Sequence, residues 1–295
     1  MGYLFLSFAL ICGAVKGFCG KKISGYAENI KSAVFLNLIR MLLCIVFGFV
    51  IIVFSADIAC FSFDINIILI SAMSGIGTAF FVVSWLLAVR KSAYMMLDVF
   101  LMLGTLVPIV TGYLIYSEPV GMRQIIGFAL LLMAVLTMCS YNNTVKEKLS
   151  LGSVFLLICC GLMNGIASAS QKVYVNTFPE TPISIFNLYT YVFASIVLFL
   201  FFVFTSGKEH IKFNDDGSKK TYVFICIMAV ALSLHSYFST MATSYLDSVR
   251  LYPLSQGASL IISTLMASIL FKEKLTFKAI IGIVSSFIAL LIINL

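Results

Sequence analysis

Apolar residues run in long unbroken blocks along this chain, and polar residues gather in short stretches between them. Ten blocks approach or exceed the roughly 20 residues needed to cross a bilayer as a helix. They lie at about 3–20, 33–54, 65–88, 93–116, 121–140, 151–171, 182–205, 221–244, 251–271 and 276–294. None alternates with a period of two, which argues against a transmembrane barrel. The longest polar stretch, SGKEHIKFNDDGSKK at 206–220, is too short to form a domain.

Two short phrases recur 155 residues apart. SEPVGMRQIIG places Glu118 nine residues before Gly127, and FKEKLTFKAIIG places Glu273 nine residues before Gly282, each through the same Ile-Ile pair. The starts of the halves also correspond: CGAVKGFCG from Cys12 answers to CGLMNGIAS from Cys160. Gly13, Lys16, Gly17 and Gly20 thus match Gly161, Asn164, Gly165 and Ser168, spacings that put each set on one helical face. A face of small residues lets another helix approach closely. Each half holds five blocks, an odd number, so the second half enters the membrane from the opposite side.

The expected fold is therefore an all-α integral membrane protein of ten transmembrane helices, built as two inverted five-helix repeats. The first repeat spans 1–141, a connecting loop 142–150, and the second repeat 151–295.

Composition agrees: 61% of the 295 residues are hydrophobic, 11% are charged, and mean hydropathy is +1.10. The eight Cys fall mostly inside apolar blocks, with no CxxC pair and no His spacing for a metal, so they are expected as small apolar fillers. The first block lacks a basic leader and a clear cleavage site, and is expected to span. Fourteen of the 19 Lys and Arg lie in or at the edge of the loops after blocks 1, 3, 5, 7 and 9, which by the positive-inside rule makes those loops cytoplasmic and both termini external.

The segment AVRKSAYMMLDVFLMLGTLVPIVTGYLIYSEPVGMRQIIGFALLLMAVL resembles the fourth and fifth helices of the drug/metabolite transporter superfamily, ten-helix EamA-like type, with Pro108 and Glu118 in their usual places. The segment ATSYLDSVRLYPLSQGASLIISTLMASILFKEKLTFKAIIGIVSSFIALL resembles the matching pair of the second half. Arg40 falls where the family often carries an Arg, and Gly13 where its first helix often reads Trp-Gly. The chain departs at Cys12, in place of that Trp, and at Ser263, in place of the second Pro. The resemblance implies cytoplasmic termini, opposite to the charge count.

Ionisable and polar groups inside spanning helices are costly, and each is a functional candidate. Lys16 either points inward, where an anionic group meets it, or snorkels toward the interface. Asp98 shares a slim polar face with Met102, Thr105, Pro108 and Gly112; it serves as a proton or cation carrier, or pairs with Arg40 or Lys16. His235 contacts solute or proton, or hydrogen-bonds between helices. Trp85, the sole Trp, is an interfacial anchor or a cavity wall. Gln256 stands among Ser255, Ser259 and Ser263, and Ser71, Ser74, Gly75 and Thr78 form a second polar stripe. The substrate-binding set is Lys16, Arg40, Trp85, Asp98, Asn164, His235 and Gln256. Gly13, Gly17, Pro108, Glu118, Gly127, Gly161, Gly165, Glu273 and Gly282 are structural. The two Glu are expected at the start of the next helix, complementing its dipole, with Pro119 in its first turn.

The expected function is secondary transport, by export or exchange, of a small organic metabolite such as an amino acid or other polar or zwitterionic solute. Alternating access at a central cavity, coupled to a proton or cation, would carry it. A passive channel is the alternative reading. A membrane-embedded enzyme lacks its constellation here: no HExxH and only two His are present. No metal, cofactor or nucleic acid is expected. The chain is expected as a monomer or homodimer, multi-pass in a bacterial cytoplasmic membrane.

Overall fold

The computed structural model describes residues 1–27, 29–55, 61, 63–91, 94–141, 151–205, 218–270, 272 and 277–294. These residues form helices and no strand: α1 (Gly2–Ile23), α2 (Ile30–Phe54), α3 (Ile65–Lys91), α4 (Tyr94–Gly104), α5 (Leu106–Tyr116), α6 (Met122–Tyr141), α7 (Leu151–Thr177), α8 (Ile183–Phe204), α9 (Ser218–Thr243), α10 (Ser248–Ile269) and α11 (Phe277–Asn294). A short 3-10 turn, Ser24–Tyr26, follows α1. Asn29 caps α2 by accepting from Ser32 N at 2.7 Å, satisfying one of the orphan donors of that helix end.

Among the described residues, six helices are long and apolar enough to cross a membrane: α1, α2, α3, α7, α8 and α9. The remaining apolar stretches are shorter, at Phe100–Tyr116, Met122–Ala134 and Ile280–Ile293. The fourth block of the sequence is thus two helices rather than one. Pro108 has no N–H for the Gly104 carbonyl, and its ring crowds that position, so the ladder breaks at Thr105. Thr105 instead bonds back to the Met102 carbonyl through both its N–H (3.1 Å) and its hydroxyl (2.7 Å). In the ninth block the cause is composition: α10 carries a face of hydroxyl and amide groups that lowers its hydropathy.

The helices pack in a definite set of pairs. α1 lies along α9, and α3 along α7; α2 packs on α8, and α6 on α11; α4 lies on α7 and on α10. Gly161 and Gly165 permit the α4–α7 crossing, because a methyl on Gly161 would come 2.5 Å from the Phe100 carbonyl oxygen and one on Gly165 would collide with the Gly104 carbonyl oxygen. Gly127 serves the α6–α11 seam in the same way, lying against the Ala289 carbonyl oxygen. Large side chains such as Tyr174, Tyr191, Phe100 and Phe186 fill the interior. The outer faces stay apolar: Phe54 and Phe204 are 86% and 83% exposed, an arrangement that suits lipid and not water.

Candidate functional site

A polar cavity of about 140 Å³ lies at the centre of the bundle. That is room for on the order of ten waters or a small organic solute. α1, α3, α7, α8, α9 and α10 supply nearly all of its wall, and α4 adds Leu101. The packing pairs explain this: the helices that cross each other closely turn their slim polar faces to one axis.

Five of the seven substrate-binding candidates meet there: Lys16, Trp85, Asn164, His235 and Gln256. Gly13 and Gly17 line the same space. Both serine stripes open onto it, through Ser74 and Thr78 of α3 and Ser255, Ser259 and Ser263 of α10. The Trp85 ring crosses Gly20 of α1, where any Cβ would collide with it, and only 6% of Trp85 is exposed. The structure therefore sets this residue on the cavity wall.

His235 Nδ1 lies 2.7 Å from the Ala9 carbonyl oxygen. A carbonyl only accepts, so Nδ1 carries the proton and donates, which leaves Nε2 of the neutral ring as the acceptor. Gly13 makes room for this ring, since a Cβ there would sit 3.3 Å from Nδ1. Lys16 lies within electrostatic reach of the same imidazole. Tyr252 closes the wall between α10 and α7 by donating to the Ser168 carbonyl at 2.8 Å.

Two candidates stand apart. Arg40 is buried one layer behind the cavity, between α2, α8 and α9, with Nη1 donating to Met228 Sδ at 3.4 Å. Asp98 falls on α4, but its side chain lies outside the described residues, as does the whole of Glu273.

Glu118 caps a different helix from the one expected. α6 begins at Met122, leaving Pro119 outside it, and Glu118 Oε2 accepts from Ser248 N, at the start of α10, at 3.0 Å. Its Oε1 meets Lys172 Nζ at 2.6 Å. Lys172, one residue beyond the sixth apolar block, lies inside α7 and is buried. The apolar run ends before it, but the helix continues to Thr177 because the ion pair offsets the burial of its charge.

Sequence reasoning also passed over Asn187, Thr190 and Tyr191 on α8. Their spacing of three and four on a helix otherwise rich in Phe, Leu, Ile and Val is the signal that could have found them. Thr190 and Tyr191 line the cavity.

Comparison with known proteins is consistent with this architecture. The EamA-like transporter family model matches residues 151–295. No curated protein matches the chain. A solved crystal structure, described only as that of a protein, superposes with a TM-score of 0.69 over 99% of this chain and 95% of its own, at 9% identity, a likeness of fold alone. The matched residues 151–295 form the α7–α11 half that supplies much of the cavity wall, and the match is in keeping with the drug/metabolite transporter superfamily that the whole sequence resembles.

Proposed function

We propose that the chain is a secondary transporter of a small polar organic solute, working by alternating access at the central cavity. The observation that carries this reading is the cavity itself: a hydroxyl- and amide-lined space holding Lys16 and His235, enclosed by helices whose outer faces are apolar. Polar groups at such a depth are costly unless they meet a partner or a passing solute. The EamA-like family consists of transporters rather than enzymes, which agrees.

The inverted repeat is supported by the packing. Matching α1, α2, α3, α4–α5 and α6 with α7, α8, α9, α10 and α11 turns each packing pair into another observed pair: α1–α9 becomes α7–α3, and α4–α7 becomes α10–α1. The pairs α2–α8 and α6–α11 map onto themselves. Ser117 and Lys272, the two described non-glycine residues with positive φ (53° and 52°), each stand immediately before one of the repeated Glu. Two equivalent packings around one site are what rocking between inward and outward states needs. On this reading ten crossings form the two repeats 1–141 and 151–295. Lys16 and Gln256 face the polar groups of a zwitterionic solute such as an amino acid, with Trp85 against its apolar part.

The test is a thermal-shift screen of the purified protein against metabolites, followed by uptake of the hits into proteoliposomes. Saturable uptake, lost in Gln256→Leu, is expected. Flux that rises linearly with solute concentration, accompanied by conductance, would replace the transporter with a channel.

A further inference from the structure

Arg40 is 2% exposed, and its Nε has no hydrogen-bond partner. Its one hydrogen bond among the described residues runs to a thioether, a weak acceptor. It forms no ion pair with any described residue, and its electrostatic neighbours are Cys44 and Tyr191. The four described carboxylates, Asp64, Glu118, Glu180 and Asp247, all stand at helix ends or in connections. A guanidinium does not shed its proton, and an uncompensated charge at this burial is costly.

The surroundings of Arg40 hold further polar groups without partners. Tyr191 Oη, Ser233 Oγ, Thr190 Oγ1 and Asn187 Nδ2 are all buried without a partner. Ser233 and Ser236 lie near enough to the Tyr191 hydroxyl to interact, yet neither completes a hydrogen bond to it. The Asn187 carbonyl oxygen is already taken by Ser236 Oγ at 2.9 Å, which leaves its amide donors facing outward from that bond. Asn187, Thr190 and Tyr191 share one face of α8, against which both α2 and α9 pack. Five groups able to donate, one of them a fixed cation, thus share the junction of three helices. The large majority of buried side-chain polar groups in native interiors are paired, and five unmet at one junction is a concentration of exceptions.

The halves differ at this point. LNLIRM at Leu36–Met41 corresponds to FNLYTY at Phe186–Tyr191, with Asn37 matching Asn187 and Arg40 matching Thr190. One repeat supplies the charge and the other the neutral donors, so the junction is asymmetric in charge.

We infer that the α2–α8–α9 junction is a binding site for a single negative charge, either a chloride-sized inorganic ion or the carboxylate of the transported solute. Arg40 supplies the counter-charge, and Tyr191, Thr190 and Ser233 complete its coordination. Thr190 and Tyr191 also line the cavity, so the group enters from there. Only the carboxylate source rests on the transporter reading; an inorganic ion would bind whether or not the protein transports.

The test follows melting of the full-length protein in detergent, titrated with sodium chloride or sodium acetate at constant ionic strength against a bulky sulfonate salt. Wild type should melt higher with one or both anions. A response to chloride assigns the site to an inorganic ion, and a response to acetate alone assigns it to a carboxylate. Tyr191→Phe, which keeps the ring and removes only the hydroxyl, should raise the half-maximal concentration about tenfold. Arg40→Gln should abolish the response. The inference is overturned if neither anion shifts wild type relative to the sulfonate, or if Tyr191→Phe and Arg40→Gln both respond as wild type does. Because melting is the readout, a failed uptake assay would count against transport and leave this result untouched.

Discussion

Lys172 Nζ lies 2.6 Å from Glu118 Oε1, with both side chains buried at 5% and 8% exposure. The pair joins the α5–α6 connection to α7, and the bond from Ser248 N to the same carboxylate brings in α10. Three elements from the two halves of the chain therefore meet on one Glu. The N-terminus of α1 packs at the same end of the bundle, where Gly2 lies against Tyr245 and Leu246.

Removing one member of a buried pair strands the other charge. Lys172→Met should lower stability by about 3–5 kcal/mol, whereas Lys172→Met with Glu118→Gln should regain most of that loss. Chemical melting of the single and double variants in detergent checks this. Equal destabilisation in the single and double variants would show that capping of α10, and not the ion pair, is the dominant role of Glu118.

The helix positions were legible in the sequence because lipid demands long apolar runs, a signal stronger than any propensity. What was missed depends on local partners. The break at Thr105 follows from Pro108, a residue noted for its family place and its helix face but not as a helix break. The length of α7 follows from Glu118, which lies 54 residues away from Lys172 and cannot be paired with it from sequence alone. Lys16, His235 and Gln256 were visible as polar groups in apolar runs. Thr190 and Tyr191 were hidden by the hydroxyl and aromatic character they share with ordinary packing residues, and Asn187 stood alone as an amide in an apolar run.

Gly165 should tolerate no side chain. Its α-carbon lies against the Gly104 carbonyl and Val107, so Gly165→Leu has to push α7 away from α4 at a cost of about 1–3 kcal/mol or more. A lowered melting temperature is expected, with loss of uptake. Wild-type melting would mean that α4 and α7 separate without penalty and that their close crossing is not a constraint.

Orientation separates two expectations. The charge bias puts the loop after α8 in the cytoplasm, and family resemblance puts it outside. A cysteine introduced at position 210 and another at Glu180, each in a background without native Cys, can be probed in intact cells with an impermeant thiol reagent. If the charge bias governs insertion, Glu180→Cys reacts and the cysteine at 210 is protected. The reverse pattern would make the family habit the guide.

The last prediction concerns the tautomer of His235. Donation from Nδ1 to the Ala9 carbonyl, with the ring seated over Gly13, holds α9 to α1 and turns the Nε2 lone pair into an acceptor for whatever occupies the cavity. Asn matches the Nδ1 donor position of His but has no group where Nε2 stands; Gln reaches the Nε2 position but leaves the Ala9 carbonyl unmet. If the acceptor is what the solute needs, His235→Gln should keep more uptake than His235→Asn while melting lower, by about 1–3 kcal/mol for the orphaned carbonyl. If the bond to Ala9 is what matters, the order of the two variants in uptake should follow their order in melting. Gly13→Val provides the independent arm, because it displaces the ring without changing its chemistry. It should impair uptake as His235→Asn does. Measuring initial uptake rate and melting temperature for the three variants decides the role, and wild-type uptake in all three would remove His235 from the site.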